Sequence, residues 1–566
     1  MATTVETVAT AGGAVAPDFP VAWERPGDEQ LFWTRDVMHF PSQLQPAAES
    51  LLARMLFGAG FNRASEGLAL PVRVRARLIN TYHYQAIYPV GAPQEQASGA
   101  QPQGHQGGMD SAVERLATDW QDELLPEVRG YLAAWEGFAL AGATMPQLLA
   151  HLDETLTWAD RLGEIHTLAG AATLLALSFF DELYHDLFAG DTFDAYRLLQ
   201  GFPNKSLEAD QALWALGRRA RALPAVRRAL AERPAGEVVA ALVAEDDAGA
   251  RDFLAALRAF HDQYGRRADL FYDVAVVHWI EDPTPAIERL RGYLTQPDRD
   301  LEAGRRAQAA ERERLAAEAR ERLAGYPAPV VARFTTLLAA AQAATAIQED
   351  HNYWIDQRAV YQVRRVLQEF GRRFAAAGVL ADADDVFALT LDEIRVTAAA
   401  LPRLDRRELV RERAAELARF RAVAPPPALG TPPLAPPPDD PLGRAIGKFF
   451  GAPPPPSPEP GVLRGHAGAP GSARGPARVL RSLAEADRLR PGDVLVAPTT
   501  APPWTPLFAT VAAVVTDTGG ILSHCAVVAR EYGIPAVVGA GLATAVIQDG
   551  QLVEVDGDAG VVRVVA

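Results

Sequence analysis

The chain has 566 residues, of which 49% are hydrophobic and 22% charged, and its formal net charge is −16. This composition is that of an ordinary globular protein, and the length exceeds what one hydrophobic core organises, so two or more domains are expected. The acidic balance argues against nucleic acid or an anionic membrane as the main partner. The only cysteine, Cys525, excludes an internal disulfide and favours a cytoplasmic location.

The N-terminal stretch changes character at about residue 18. Residues 1–17 lack a basic segment followed by an apolar core, which predicts a disordered tail and no signal peptide, and no run in the chain approaches the length of a membrane span. Aromatic residues follow, including Trp33, with His39 nearby. We interpret them either as the cover of a core edge or as part of a binding site. Residues 93–109 are rich in glycine and glutamine and predict a mobile surface loop.

A helical spacing of apolar residues dominates most of the chain that follows, so the region 18–422 is predicted to be mainly helical. Within it, the polar run 348–357 is helical by context and places Glu349 and Tyr353 on one face. This region is interpreted as the part that binds a substrate and docks partners.

Three further residues of the polar run, Asp350, His351 and Asp356, can orient an acceptor hydroxyl or bind a cation. The alternative interpretation is a polar network that joins helices. Asp181 and His185 also share a helix face, but the sequence shows no third ligand beside them, and we predict no metal site in this chain.

The composition changes abruptly at residues 423–460, where clustered prolines exclude helix and sheet and favour extended polyproline II. This stretch is interpreted as a linker, either an inert tether or a hinge that lets the final domain travel. Residues 461–566 show short apolar strands separated by glycine turns, with two helices among them. The predicted fold class is therefore multi-domain, mainly helical on the N-terminal side and α/β at the C-terminus.

The stretch with the clearest chemistry follows a predicted buried strand at residues 511–515. Gly519 and Gly520 end that strand, Ser523 takes the N-cap position of the next helix, and His524 starts its first turn. A helix N-terminus favours a neutral imidazole with a free lone pair and stabilises an anion attached to it. Glycines without Cβ atoms let a bulky phosphate donor approach. The pattern suits a phosphorylated histidine, and the alternative, which a lone histidine would favour, is a buried helix-cap histidine without a chemical role.

This stretch resembles the phosphohistidine motif of the mobile, or swivelling, domain of the PEP-utilising enzymes, which include phosphoenolpyruvate synthase, pyruvate phosphate dikinase and rifampin phosphotransferase. The matching residues are Gly519, Gly520, Ser523, His524, Ala526, Ala529, Arg530, Glu531, Gly533, Ile534, Pro535 and Gly539. The resemblance covers essentially all of residues 461–566 and implies a compact β/β/α fold with His524 as the phosphorylated residue. It implies a phosphate site supported by Thr518, Gly519, Gly520, Ser523 and Arg530, although the distance of Arg530 along the helix favours a structural or partner-facing role.

The region before the linker is similar to the acceptor-binding and helical part of rifampin-phosphotransferase-like proteins. This similarity implies a set of acceptor-site candidates: Trp33, His39, Glu349, Asp350, His351, Tyr353 and Asp356. In the family an ATP-grasp domain loads the histidine, which attacks the β-phosphate of ATP. No P-loop string, no glycine-rich hairpin of an ATP-grasp domain and no pyruvate-binding barrel is legible here. We therefore expect Mg²⁺ and ATP on a separate ATP-grasp subunit, with no cofactor held stably by this chain.

The leading hypothesis is a phosphotransferase component of a split dikinase, which passes a phosphoryl group from His524 to a small organic acceptor. One alternative is a complete water dikinase similar to phosphoenolpyruvate synthase, with an unrecognised nucleotide site. The other is a non-catalytic phospho-relay or scaffold protein. Two departures from the family pattern stand beside the histidine: Leu522 replaces a regulatory threonine of the dikinases, so control at that position is expected to be absent. Cys525 replaces the usual alanine and is expected to pack as alanine does.

Overall fold

The computed structural model describes residues 19–67, 72–90, 108–245, 247–270, 272–294, 300–433, 440–451, 454–455 and 457–565. The predicted tail at 1–17 and residues 93–107 of the predicted loop lie outside the described residues. A mainly helical region is followed by a C-terminal α/β domain, which confirms the predicted fold class.

The helical region is built from the following α-helices: α1 (Pro46–Leu52), α2 (Asn62–Gly67), α3 (Gly108–Thr118), α4 (Leu125–Gly137), α5 (Met145–Leu187), α6 (Asp194–Arg197), α7 (Lys205–Ala222), α8 (Pro224–Glu232), α9 (Ala235–Glu245), α10 (Ala248–Tyr264), α11 (Thr284–Tyr293), α12 (Leu301–Arg322), α13 (Ala328–His351), α14 (Val360–Ala376), α15 (Leu391–Ala399), α16 (Arg407–Arg421) and α17 (Pro441–Phe450). Short 3₁₀ turns occur at Asp28–Gln30, Leu140–Gly142 and Asp384–Ala388. Segments of π-helix join α1 to α2 (Ala53–Phe61), α3 to α4 (Asp119–Leu124) and α13 to α14 (Asn352–Ala359).

Helix α5 is the axis of this region. It starts with a capping box, in which the Thr144 side chain accepts from the Gln147 N–H and the Gln147 side chain accepts from the Thr144 N–H. This local signal fixes the helix start. Leu148, Leu152 and Leu156 follow at helical spacing and are fully buried, and α13 packs against the later part of α5, where Phe180 contacts Phe334. The apolar faces of both helices therefore form one core.

Two helical stretches, Met145–Leu187 and Ala328–Ala376, are long and apolar enough to cross a membrane by length and composition. This finding corrects the expectation that no run in the chain approaches that length. Their apolar windows are 56% and 44% buried inside the protein, and α5 and α13 contact each other extensively in the core. Because this packing already covers much of their apolar surface, the two stretches are explained as core helices.

A small antiparallel sheet flanks the helices on the N-terminal side. Its strands are β1 (Phe32–Thr34), β2 (Val72–Ile79), β3 (Tyr82–Pro89) and β4 (Ala428–Gly430), in the order β2–β3–β1–β4. Asn80 and Thr81 connect β2 to β3 with positive φ values of 50° and 71°, the geometry of a tight hairpin turn. Strand β4 comes from the Pro-rich stretch and pairs antiparallel with β1.

The C-terminal domain is organised by an eight-stranded sheet. Its strands are β5 (Val462–Arg464), β6 (His466–Ala469), β7 (Ser472–Val479), β8 (Val494–Ala497), β9 (Ala513–Thr516), β10 (Ala536–Val538), β11 (Leu552–Asp556) and β12 (Val561–Val564), in the order β5–β12–β11–β7–β8–β9–β10–β6. Strands β7 to β10 run parallel, and helices α18 (Thr505–Phe508), α19 (His524–Tyr532) and α20 (Ala543–Val546) complete the domain. The loop after β9 therefore leaves the carboxyl edge of the parallel strands, where α/β domains place their sites.

The Pro-rich stretch is not extended throughout. Besides β4 it forms α17, whose start is capped by the Asp440 side chain. Lys448 of α17 pairs with Asp181 of α5 at 2.7 Å, and Arg444 pairs with Glu182 at 3.1 Å. Helix α17 is thereby held on the helical region, directly before the chain enters the C-terminal domain.

Candidate functional site

His524 is presented by a strand–loop–helix unit. Strand β9 ends at Thr516, Gly519 takes a φ of +107° that only glycine adopts readily, and α19 begins at His524. Ser523 occupies the N-cap position with extended backbone angles, but its buried side-chain oxygen makes no hydrogen bond to any described residue. The first turn of α19 thus carries the imidazole, with a spare hydroxyl beside it.

The two ring nitrogens of His524 have different partners. Nδ1 lies 3.2 Å from Oε1 of Glu349 on α13, and Nε2 lies 3.4 Å from the Thr505 hydroxyl. Burial alone would raise the pKa of Glu349. The charge of His524 and its hydrogen bond to Glu349, together with a hydrogen bond from Ser206, outweigh that effect. They lower the pKa of Glu349 below its ordinary value. An ionised Glu349 accepts a proton from Nδ1, which leaves Nε2 as the ring nitrogen that can carry a lone pair.

A cavity of about 290 Å³ opens in front of His524. The C-terminal domain, α17 and the helical region all contribute to its wall. The apolar part of the wall comes from Met38, Leu56, Phe57, Phe61, Leu174, Tyr272, Leu442, Ile446, Phe449 and Phe450. The titratable side chains that line it are Asp36, His39, His166, Glu349, His351, Asp356, His524 and Cys525. The geometry is that of an enclosed apolar pocket with a few convergent polar groups.

One wall of the cavity carries a charged pair. His39 Nδ1 lies 2.6 Å from Asp36 Oδ2, and the ring contacts Phe449 and Phe450. Burial opposes ionisation of both groups, yet their mutual charge and hydrogen bond outweigh it, lowering the pKa of Asp36 and raising that of His39. The pair therefore favours a carboxylate beside an imidazolium on this part of the cavity wall.

A polar cluster also lines the cavity. Asp356 Oδ1 accepts a hydrogen bond from the Tyr272 hydroxyl at 2.6 Å and lies 3.0 Å from His166 Nδ1. The ring of His351 lies next to that of His166, with centroids 4.8 Å apart. Burial, followed by the nearby charge of His166, lowers the pKa of His351 to about 4, so that ring is neutral at physiological pH. This cluster contains the residues best suited to hold a cation among those described.

The C-terminal end of α17 packs against the glycine pair before His524. The N–H groups of Gly519 and Gly520 donate to the carbonyl oxygens of Phe450 and Phe449, at 3.1 and 2.8 Å. A Cβ atom on Gly520 would lie 2.2 Å from the Lys448 carbonyl oxygen. The sequence interpretation assigned the glycines to the approach of a phosphate donor. In this arrangement they admit the C-terminal end of α17 instead.

Other residues predicted for the phosphate site are spread around the loop. Thr518 lines the cavity, but its hydroxyl donates to the Pro498 carbonyl at 3.1 Å. Arg530 is buried and donates to the carbonyls of Gly468 and Ile521 at 2.7 and 2.9 Å. Arg530 thus holds the loop that carries His524 and does not face the cavity.

Three acceptor-site candidates point away from the cavity. Asp350 accepts from the Lys205 N–H at the start of α7, and Tyr353 donates from its hydroxyl to the Gln263 carbonyl. Trp33 is fully buried under the small sheet, where its ring N–H donates to the Asp28 carbonyl. The structure therefore brings together His39, Glu349, His351, Asp356 and His524 and separates these three from them.

The Asp181–His185 pair noted in the sequence lies on the outside of α5. His185 Nδ1 donates to the Asp181 carbonyl at 2.8 Å, and the Asp181 carboxylate pairs with Lys448. Sequence reasoning did not select His166 and Tyr272 for the site. His166 was detectable only as a histidine within an alanine-rich apolar stretch of α5, and Tyr272 gave no local signal.

Comparisons with known proteins bear on both regions. Residues 489–560 match the mobile domain of the PEP-utilising enzymes. The chain carries a PEP-utilising mobile domain. Residues 166–349, from α5 to near the end of α13, match the fourth domain of rifampicin phosphotransferase. Both matches confirm the resemblance inferred from the sequence.

Relatives extend the similarity over most of the chain. Chondramide synthase cmdD of Chondromyces crocatus is 40% identical over 96% of this chain and 14% of its own length. The uncharacterized phosphotransferase YvkC of Bacillus subtilis is 31% identical over 69% of this chain and 46% of its own length. The rifampicin phosphotransferase of Streptomyces sviceus is 32% identical over 59% of this chain and 38% of its own length. The chain therefore spans less than half the length of these relatives.

Proposed function

We propose that His524 carries a phosphoryl group from an ATP-grasp donor, on a partner subunit, to a hydroxyl of an organic acceptor bound in the cavity. The observation that carries this proposal is the position of His524 at the cavity, with Nδ1 held by Glu349 and Nε2 beside the Thr505 hydroxyl. The similarity to proteins named as phosphotransferases supports it.

In the loading step, Nε2 of His524 attacks the β-phosphorus of ATP, and the α–β phosphoanhydride bond breaks so that AMP leaves. Water or phosphate then takes the γ-phosphoryl group, which leaves one phosphoryl group on His524. Mg²⁺ and ATP belong to the donor's own site in this proposal. The C-terminal domain then returns to the arrangement described above. In that arrangement Glu349 keeps the proton on Nδ1, as the carboxylate of a catalytic triad does for its histidine.

In the transfer step, the acceptor's oxygen attacks phosphorus, the N–P bond breaks, and its electron pair returns to Nε2. The proton of the hydroxyl passes to water. Because such transition states are loose, catalysis depends on placement and on neutralising the phosphoryl oxygens. The His39 imidazolium and the spare Ser523 hydroxyl face the same cavity and are suited to that task.

The cavity wall favours a particular kind of acceptor. A small anion such as pyruvate has little carbon surface to bury against the apolar side chains of this wall, which include Phe57, Phe61 and Leu174. An aromatic or aliphatic alcohol buries its carbon skeleton against them and gains free energy from that burial. We therefore favour an apolar alcohol or phenol over the enolate that a phosphoenolpyruvate synthase uses.

The test separates loading from transfer. Phosphoramidate phosphorylates accessible histidines without ATP, so the purified chain can be loaded directly and incubated with a panel of apolar alcohols and phenols. We expect acid-labile phosphate on the protein and its transfer to at least one apolar acceptor. His524→Ala removes the transfer and the share of the label that maps to residue 524, whereas the matched control Cys525→Ala keeps both, because the buried thiol takes no part. Equal labelling of His524→Ala and the parent would contradict the proposal.

A further inference from the structure

A cluster of side chains suited to metal binding faces the cavity from the helical region. His166 on α5, His351 at the end of α13 and Asp356 in the π-helical segment each offer one ring nitrogen or carboxylate oxygen. These atoms lie within 4.8 Å of one another, and all three residues line the cavity that His524 enters. The three come from two helical stretches that meet in the core, so the cluster exists only in the folded protein.

The spacing of the three ligand atoms is close to that around a bound ion. Ligands about 2.1 Å from a tetrahedral metal lie roughly 3.4 Å from each other. The closest pair here, His166 Nδ1 and Asp356 Oδ1, is 3.0 Å apart. The widest pair has to close by somewhat more than an ångström, which a rotation of the partly exposed His166 ring supplies.

The neighbours of the cluster orient it as partners orient metal ligands elsewhere. His351 Nδ1 donates to the Ile347 carbonyl at 2.8 Å, which leaves the Nε2 lone pair free to bind an ion. Tyr272 donates to Asp356 at 2.6 Å and adopts a φ of 55°, a strained value for a tyrosine. Strain of this kind persists where the surroundings impose it, commonly at functional sites.

We propose that His166, His351 and Asp356 bind one divalent transition-metal ion, with Zn²⁺ preferred over Mn²⁺ and Mg²⁺. Two imidazoles and one carboxylate are borderline ligands that suit Zn²⁺, whereas Mg²⁺ prefers oxygen ligands alone. Three protein ligands leave a fourth position open, which is the arrangement of catalytic zinc sites. This inference departs from the expectation of no metal, because no local pattern in the chain indicates that His166 lies beside His351.

The open position gives the ion a role in transfer, and this role alone rests on the proposed function. An acceptor hydroxyl bound to the ion becomes more acidic and releases its proton to water. The oxygen then attacks the phosphorus of phospho-His524, the N–P bond breaks and the electron pair returns to Nε2. Glu349, which contacts His524, lines the same cavity as His351, so the ion and the phosphoryl group would share that cavity.

Binding is measured on the full chain without any phosphoryl donor, after treatment with a chelator. Isothermal titration with Zn²⁺, Mn²⁺ and Mg²⁺, and absorption spectra with Co²⁺, report stoichiometry and ligand geometry. We expect one Zn²⁺ per chain and Co²⁺ bands typical of four-coordination. His351→Gln and Asp356→Asn should each weaken Zn²⁺ binding by about 100-fold or more, since even loss of an orienting partner costs 10- to 100-fold.

Two controls keep the outcomes distinct. His185→Ala removes a histidine from the outside of the same helix that carries His166 and should leave binding unchanged. His524→Ala should also retain the Zn²⁺ affinity, so a failure of the phosphotransfer proposal would leave the metal result intact. Binding that is absent, or equal in His351→Gln and the parent while both show the same thermal unfolding, would overturn the metal site.

Discussion

The C-terminal domain and the helical region build one cavity in opposite ways. The C-terminal domain contributes its reactive group from a contiguous unit, in which β9, a glycine loop and the first turn of α19 place His524. The helical region contributes Glu349, His166, Asp356 and Tyr272 from separate parts of the chain. The comparison indicates that the chemistry is encoded locally, whereas the choice of acceptor is encoded by packing between distant segments. Changes in the two regions should therefore affect different steps.

Within the helical region, substitution of Glu349 is expected to have the largest effect on the rate of transfer. Glu349→Ala removes the carboxylate that holds the Nδ1 proton of His524, a charge-assisted hydrogen bond of about 1.5–3 kcal/mol, and should slow transfer roughly 10- to 100-fold. Loading should be unchanged, because Glu349 does not travel with the C-terminal domain. Rates of acceptor phosphorylation and of His524 loading, measured separately, check this.

The neighbouring residue supplies the control for Glu349. Asp350→Asn alters the adjacent carboxylate, which accepts from the Lys205 N–H and faces away from the cavity, and should leave both rates unchanged. Slow loading with normal transfer in Glu349→Ala would contradict the assignment of Glu349 to the transfer step.

A smaller effect is expected where α17 meets the glycine loop. In Gly520→Ala the new Cβ would lie 2.2 Å from the Lys448 carbonyl oxygen, so α17 has to shift, at a cost of about 1–3 kcal/mol. Transfer should fall several-fold, and amide hydrogen exchange in α17 should accelerate. Gly447→Ala, at a position on the same helix with open space around it, should change neither. Unaltered exchange in Gly520→Ala would show that α17 does not depend on this contact.

The smallest expected effect is a pH dependence of docking between the two regions. Burial raises the pKa of Glu531 on α19 to about 7 from 4.5, against the opposing effects of the Gly201 N–H and of Arg530, Arg312 and Arg305. The docked state therefore holds a proton that the separated state releases above about pH 4.5. Docking is strongest below that pH and weakens as pH rises through about 7.

Distance measurements between spectroscopic labels on the two regions, from pH 5 to 8, report this dependence. The population of the docked arrangement should fall with rising pH, and Glu531→Gln should flatten the profile because the amide does not titrate. A profile that Glu531→Gln leaves unchanged would assign the effect to another group.

Much of the site can be predicted from the sequence, and the predictions that failed did so for physical reasons. The residues around His524 followed from a local strand–turn–helix pattern. Glu349 and Tyr353 were placed on one face from α-helical spacing, but the π-helical segment starting at Asn352 changes the helical period there, and Tyr353 bonds to Gln263 instead.

The remaining differences come from packing over long sequence separations. His166 and Tyr272 reach Asp356 only because α5 and the segment before α11 pack against the same turn of the π-helical segment. The use of Gly519 and Gly520 by α17 depends on where the Pro-rich stretch folds back, which clustered prolines do not indicate. The local spacing of residues indicates neither the contacts of His166 and Tyr272 nor the position of α17.

The central claim, that Nε2 of His524 carries the phosphoryl group while Glu349 holds the Nδ1 proton in the docked arrangement, is tested most directly by locating the phosphate on the ring. Nuclear magnetic resonance of ¹⁵N-histidine-labelled protein loaded with phosphoramidate distinguishes the two phosphorylated nitrogens. The account predicts phosphate on Nε2 of His524 and none in His524→Ala. Phosphate on Nδ1, or on a different histidine, would contradict it.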